Sequence, residues 1–180
     1  MKTSVLVLRS IISYSLLWAV ALAQQAPSAT PGPVPAPIPT ALTSAQKIFL
    51  SNGGADSGLF PAPFSGDTDR AYNQFYAALK AAGQLELVAD PVDADLVLEL
   101  QLSAPNGPSQ ANKQLGASDP VPMFRLVIYD RKSHFILWTL TQSIDVALRQ
   151  KTHDRNFDDA LNNILSRFQQ LVVKPLTPPR

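Results

Sequence analysis

The only two histidines, His134 and His153, are the residues best suited to acid–base or metal chemistry in this chain. Each has an aspartate nearby in sequence, Asp130 or Asp154, so the sequence allows a zinc pair or an acid–base pair. A zinc site usually takes three or four protein ligands, and the chain has neither an H-E-x-x-H motif nor a cysteine. No nucleophile elbow or Ser-x-x-Lys motif stands out either. We therefore expect no catalytic residue, no metal ligand and no cofactor, with His134 in a solvated turn and His153 at a helix start.

Two other stretches have residue types that bind ions. Asp90, Asp93 and Asp95 lie close together and could hold Ca²⁺, but the EF-hand spacing is absent and carboxylates at a Pro turn commonly accept hydrogen bonds from their own backbone. Residues 53–66 are glycine-rich and could cradle a phosphate, but they lack the Lys-Ser/Thr of a P-loop. A connecting loop is the favoured interpretation.

The composition excludes some kinds of stabilising bond and some classes of binding partner. The 180 residues are 46% hydrophobic, which suits one domain, and the absence of cysteine excludes disulfides and a catalytic thiol. Without Lys2 and Arg9, which belong to the leader described next, thirteen basic residues face fourteen acidic ones, a formal charge of about −1. A near-neutral domain without a basic cluster argues against nucleic acid or an anionic membrane as partner.

The first 43 residues indicate export. Residues 1–23 combine a positive start, an apolar run of ten and the small-x-small pattern Ala21-Leu22-Ala23, which predicts a signal peptide cleaved before Gln24. An uncleaved anchor is the alternative. Residues 24–43 predict a Pro/Ala-rich linker, 44–173 a single domain and 174–180 a disordered tail. We expect a periplasmic or secreted protein with no membrane span after cleavage.

The domain should be an α+β two-layer sandwich, with four to five mostly antiparallel strands and two helices on one face. Alternation or apolar runs predict strands at 46–51, 85–89 and 94–102, and a hairpin over 123–145. Apolar residues at spacings of three and four predict helices at 67–82 and 153–173.

The hairpin supplies most of the candidate binding residues. If residues 131–134 form the turn, Arg125, Tyr129 and Trp138 share one sheet face, and Arg131 and His134 lie in the turn. Both faces would then be largely apolar, so the face away from the helices would need a cover, either a loop, a second subunit or a partner protein.

Residues 103–122 are rich in Pro, Gly, Asn and Ser and show no periodicity. Loops of this length are uncommon in compact domains and are usually functional or disordered, and both interpretations remain open. If the loop binds a partner, Asn106, Asn112 and Lys113 are its candidate contacts.

The strand that begins at residues 94–97 (ADLV), followed by a hairpin with Asp130 before a polar turn and Trp138 after it, resembles a family of uncharacterised bacterial envelope domains. The fold is also loosely similar to the TolB amino-terminal domain and to lipoprotein activators of penicillin-binding proteins. The resemblance implies an envelope interaction module rather than an enzyme. Many members are lipoproteins, and the absent cysteine departs from that pattern.

Two functional hypotheses follow. The first is a non-catalytic protein-binding or structural module that binds an envelope protein or self-associates. The alternative is a small-ligand or metal-dependent enzyme at a sheet edge, since a right-handed crossover would bring the loops 53–66, 90–93 and 131–134 to one edge.

Overall fold

The computed structural model of the chain describes residues 36–105 and 120–172. The expected signal peptide, most of the linker, the segment 106–119 and the tail lie outside the described residues. Among the helices that are described, none combines the length and apolar character needed to cross a membrane.

The described residues form one five-stranded sheet and three α-helices. The elements are α1 (Thr40–Ser44), β1 (Lys47–Ala55), α2 (Arg70–Ala82), β2 (Glu86–Leu87), β3 (Leu96–Ser103), β4 (Met123–Asp130), β5 (Ile136–Ser143) and α3 (Gln150–Val172). The strand order is β2-β1-β3-β4-β5. β1 is parallel to β2 and β3, whereas β3, β4 and β5 are joined by antiparallel pairings. The α+β class is confirmed, and the sheet is mixed.

The core lies between one face of the sheet and helices α2 and α3. Alternate residues of β3 are buried there, as its leucine pattern predicts. Phe75 of α2 and Phe157, Ile164 and Phe168 of α3 are completely buried in the same cluster. Each such side chain stabilises the fold by roughly 1.5–3 kcal/mol on burial, so the two helices account for much of the stability.

The amino-terminal boundary of the folded unit lies before residue 44. Helix α1 falls inside the range predicted as linker, and its Leu42 is completely buried in the core cluster. Pro39 supplies the turn before it, since its carbonyl accepts from the Leu42 N–H at 3.0 Å. The last residues of the expected linker therefore belong to the domain.

A bulge changes the predicted faces of the hairpin. The turn is as expected, because the Asp130 N–H donates to the Phe135 carbonyl at 2.9 Å. Beyond it, Tyr129 pairs with Ile136 but Ile128 pairs with Trp138, so Leu137 is an extra residue. The extra residue reverses the side on which the following residues of β5 lie. Trp138 accordingly packs against the core instead of sharing a face with Arg125 and Tyr129.

Candidate functional site

The predicted binding residues do not form one surface. Arg125 is exposed and Tyr129 half-buried on the sheet face away from the helices, whereas Trp138 lies on the helix side. Arg131 and His134 lie at the end of the hairpin. The remaining three, Asn106, Asn112 and Lys113, are outside the described residues.

The face away from the helices is less apolar than expected. Val127 is buried there, and the Tyr129 hydroxyl donates to Glu99 Oε2 at 3.4 Å. The rest of this face is mostly polar, because Arg125, Thr139 and Thr141 are exposed on it. Such a face can be solvated, so no cover is required to explain it.

A cleft of about 400 Å³ opens at the hairpin end of the sheet. Its lining consists of Pro91, Val92, Val97, Arg131, Lys132 and His134. The turn is held against the start of β3 because the Arg131 N–H donates to the Asp95 carbonyl at 3.2 Å. Two of the three loops of the enzyme hypothesis, 90–93 and 131–134, thus meet as expected.

The third loop, 53–66, lies at the opposite end of the sheet, which corrects the enzyme hypothesis. β1 runs parallel to β3 and ends at Ala55 beside Leu102, whereas the cleft is at the start of β3. The reason is the direction of β3: because it runs parallel to β1, it starts at the end of the sheet where β1 starts, away from the loop that follows β1. The two residues of β2 pair with Lys47 and Ile48, so loop 90–93 also stays at that end.

The carboxylates around the cleft bind backbone N–H groups. Asp90 accepts from the Val92 N–H at 2.8 Å, as expected for a Pro turn. Asp95 accepts from the N–H groups of Gln46 and Lys47, and these hydrogen bonds lower its pKa below the usual value. The hydroxyl and N–H of Ser133 likewise lower the pKa of Asp130. These three carboxylates therefore hold the local backbone in place.

Metal chemistry has no support within 36–105 and 120–172. No three His, Cys, Asp or Glu side chains in those residues come together in a way that could hold a metal ion. His134 is exposed in the turn, and His153 lies in α3, where its Nδ1 accepts from the Ala147 N–H at 3.2 Å. The two histidines therefore have separate structural settings.

His134 has an unusual backbone conformation. Its φ of 60° makes it the only non-glycine residue with positive φ in the described part of the chain. A histidine in this left-handed region costs free energy that a glycine would avoid. The turn pattern in the sequence did not indicate which of its residues adopts this conformation.

A charged cluster that the sequence did not predict joins α2 to α3. Arg70 binds Asp154 at 2.6 Å and Asp158 at 2.9 Å, and its guanidinium lies 4.2 Å from the centre of the Phe157 ring. Asp154 also accepts from the N–H and hydroxyl of Ser65. Arg70 and Asp154 are 84 residues apart, so no local spacing could reveal the pair. The groups bind each other, which indicates a structural role.

The outer edge of β5 is the second candidate site. β5 is the last strand of the sheet and pairs only with β4 among the described strands. Its eight residues, ILWTLTQS, include no charged residue and no proline. At its start, Phe135 is 73% exposed and Ile136 54% exposed. After it, Val146 and Leu148 are also exposed.

No protein-family model matches the chain, and no curated protein matches it. Solved structures of similar fold include the dodecamer of a PelC point variant from Paraburkholderia phytofirmans, with 16% identity, a TM-score of 0.44 and coverage of 69% of this chain and 87% of that chain. The DUF330 protein XCC0632 from Xanthomonas campestris has 13% identity, a TM-score of 0.44 and coverage of 69% and 81%. Lipoprotein GNA1162 from Neisseria meningitidis has 13% identity, a TM-score of 0.34 and coverage of 67% and 99%. Similarities this distant concern the fold and carry no argument about function or assembly.

Proposed function

We propose that this protein is a non-catalytic binding module of the bacterial cell envelope and that it self-associates through the outer edge of β5. The outer edge of β5, which has no charged residue and pairs with no further strand among the described residues, carries the proposal. Export is supported by the sequence of residues 1–23 and by the resemblance to envelope domains. The proposed organisation is a signal peptide at 1–23, a linker that ends before α1, one domain and a short tail from 174 to 180.

An edge strand has backbone N–H and C=O groups that can pair with another chain. Proteins usually protect such edges with lysine, proline or a bulge. Of these three protective features, β5 has only the bulge at Leu137, which lies close to its start. The residues from Trp138 onward pair regularly with β4. Because backbone groups alternate along an antiparallel strand, those of Thr139 and Thr141 point away from β4. They face the side on which a further strand could be added.

Arg167 of α3 partly covers this edge. Its Nη1 donates to the Thr141 carbonyl at 2.7 Å, which satisfies one of the outward groups. An added strand that pairs with Thr141 must displace this guanidinium. The contact therefore competes with strand addition and should make self-association weak and dependent on concentration.

A second copy of the same strand fits the edge. In an antiparallel pair centred on Leu140, Thr139 lies opposite Thr141 of the second copy, and Trp138 lies opposite its Gln142. Threonine pairs across strands are favourable, and no like charges meet because β5 has none. A strand from another protein would lack this self-complementarity.

Sedimentation equilibrium of the purified protein over a range of concentrations tests the proposal. We expect a monomer–dimer equilibrium that Thr139→Lys weakens about tenfold or more, because a charge at the edge opposes strand pairing. Arg167→Ala should strengthen it, since the Thr141 carbonyl is then free. Ala81→Lys, which adds the same charge to an exposed position of α2, is the matched control.

A strict monomer at all concentrations, in both the wild type and Arg167→Ala, would contradict self-association through β5. A dimer that Thr139→Lys and Ala81→Lys weaken equally would place the interface elsewhere. Near-native circular dichroism of each variant separates loss of association from loss of fold.

A further inference from the structure

We infer that an apolar contact beside β5 makes its edge selective for a second copy of this chain: Phe135 of one copy packs against Val146 of the other, with Leu148 next to it. The inference rests on the proposed self-association through β5 and adds a contact outside the strand. Because a two-fold symmetric pair uses the same patch on both copies, the contact forms twice.

Exposed apolar side chains are concentrated at the two ends of β5. Seven large apolar side chains are exposed in the described part of the chain, and four of them lie in this strand or within five residues of it. These four are Phe135, Ile136, Val146 and Leu148. A pair of strands alone is small compared with the roughly 800 Å² per partner of a typical stable interface, so a dimer needs further contacts beside the strand.

The antiparallel pair centred on Leu140 brings the two ends together. Phe135 is five residues before Leu140, but the extra residue at Leu137 shortens this stretch by one position. Phe135 therefore lies opposite Ile144 of the second copy, four residues after the centre. Neighbouring strands are roughly 4.7–4.9 Å apart, so a phenylalanine ring at this position reaches Val146, two residues further on.

Phe135 lies on the side of the sheet that carries the helices. Asp130 pairs with Leu96 of β3, whose side chain is completely buried beneath the helices. Across the turn, the Asp130 N–H donates to the Phe135 carbonyl. Because directly opposite residues of paired strands share a face, Phe135 is on the same side as Leu96.

The segment 144–149, which leads from β5 to α3, is held on that side too. Ile144 is buried in the core cluster. The side-chain amide of Asn156 donates to the Asp145 carbonyl at 2.8 Å, and His153 Nδ1 accepts from the Ala147 N–H at 3.2 Å. Phe135 of one copy and this segment of the other therefore belong to the same layer of the dimer.

The apolar side chains of the segment point away from its own domain. Val146 is 59% exposed and Leu148 is completely exposed, whereas Ala147 between them is half-buried. Residues two apart in extended backbone point to the same side, so Val146 and Leu148 form one small apolar surface. The hydrogen bonds to α3 hold this surface in place before a partner arrives, which lowers the cost of binding.

Charged residues stand beside both apolar surfaces in pairs of opposite sign. Asp145 and Arg149 flank Val146 and Leu148, and all four are exposed. In the turn next to Phe135, Asp130 accompanies the two basic residues 131 and 132. Burial of the apolar side chains, rather than net charge, therefore favours the contact.

Directed crosslinking tests the contact, because the chain has no cysteine of its own. The single variants Phe135→Cys and Val146→Cys are mixed and treated with a short bismaleimide. We expect a crosslinked dimer in the mixture but not in either variant alone, since the two copies of residue 135 lie about 25 Å apart in this pair. Val92→Cys, an equally exposed valine far from β5, replaces Val146→Cys in the control mixture and should give no crosslink.

Sedimentation equilibrium of serine variants gives a second test. Phe135→Ser or Val146→Ser removes the contact at both of its sites and should raise the dimer Kd about tenfold, whereas Val92→Ser should leave it unchanged. An equal mixture of the first two variants keeps one intact site in the mixed dimer. This mixed dimer should therefore form more tightly than the dimer of either variant alone.

Two outcomes would overturn the inference. One is a crosslink in the mixture no stronger than in the Val92→Cys control, and the other is a mixed dimer no tighter than its two parents. If Thr139→Lys still weakens the wild-type dimer, either outcome refutes the Phe135 contact alone and leaves association through β5 standing. A wild type that is monomeric at every concentration refutes both.

Discussion

At the scale of single residues, the shortest salt bridge within the described residues joins Arg70 and Asp154, at 2.6 Å. Burial raises the pKa of Asp154, but hydrogen bonds from Arg70, Ser65 and Gln150 lower it more, so the pKa lies well below its usual value. A carboxyl whose pKa is lower in the folded state stabilises the fold at pH values above its unfolded pKa of roughly 4. This stabilisation is lost as the pH falls through the folded pKa.

Asp154→Asn should therefore lower the free energy of unfolding by about 1–3 kcal/mol at pH 7, because Arg70 loses its closest acceptor. The loss relative to the wild type should shrink as the pH falls below about 4. Urea unfolding between pH 2 and pH 7 measures both effects. Asp158→Asn is the control: its side chain is 48% exposed, so it should cost about 0.2–1 kcal/mol. A pH dependence identical in Asp154→Asn and the wild type would contradict this assignment.

At the scale of elements, a close approach between β1 and β3 restricts one position to glycine. A Cβ atom at Gly53 would lie 2.9 Å from the Leu100 carbonyl oxygen and 3.0 Å from Glu99 Cγ. The parallel register between these strands shifts just there, between Asn52 and Ala55. The backbone oxygen cannot move away without disturbing the sheet.

Gly53→Ala should consequently lower the free energy of unfolding by about 1–3 kcal/mol, as for other overpacked positions. Gly58→Ala is the matched control: its added Cβ would meet only a side-chain oxygen of Asp56, at 3.2 Å, and that side chain can adjust. Thermal and urea unfolding of the two variants provide the comparison. Equal losses at the two positions would show that the β1–β3 approach is not the cause.

At the scale of the whole molecule, the core of the folded unit includes a residue that the sequence places in a linker. Leu42 is completely buried beneath the other elements, although it follows a proline-rich stretch. Leu42→Ala should cost about 2–4 kcal/mol because it leaves a cavity in the core. Ile38→Ala, at a position that is 43% exposed, should change stability by less than about 0.5 kcal/mol.

Unfolding curves of these two variants locate the start of the domain. A small effect of Leu42→Ala would mean that α1 contributes little and that the boundary predicted at residue 44 is adequate. A loss of the expected size would confirm that a truncated version of the protein must retain α1 to keep its stability.

The sequence by itself determined the α+β class, the alternation of β3, the turn at residues 131–134 and the apolar faces of α2 and α3. These features are encoded within a few consecutive residues, because side-chain direction repeats every two residues in a strand and every 3.6 in a helix. Gly83, which directly follows the predicted helix 67–82, has the left-handed conformation that is usual at a helix end, for the same local reason.

Only the tertiary structure decided which surfaces meet. The parallel direction of β1 and β3 separates loop 53–66 from the cleft, and one extra residue at Leu137 places Trp138 on the core side. Strand length and register depend on partners far away in the chain, as does the contact between Arg70 and Asp154. The candidate sites were therefore predicted only in part: Arg131 and His134 were identified at the turn, but the cleft with Val92 and Val97 and the open edge of β5 follow from the packing of the whole sheet.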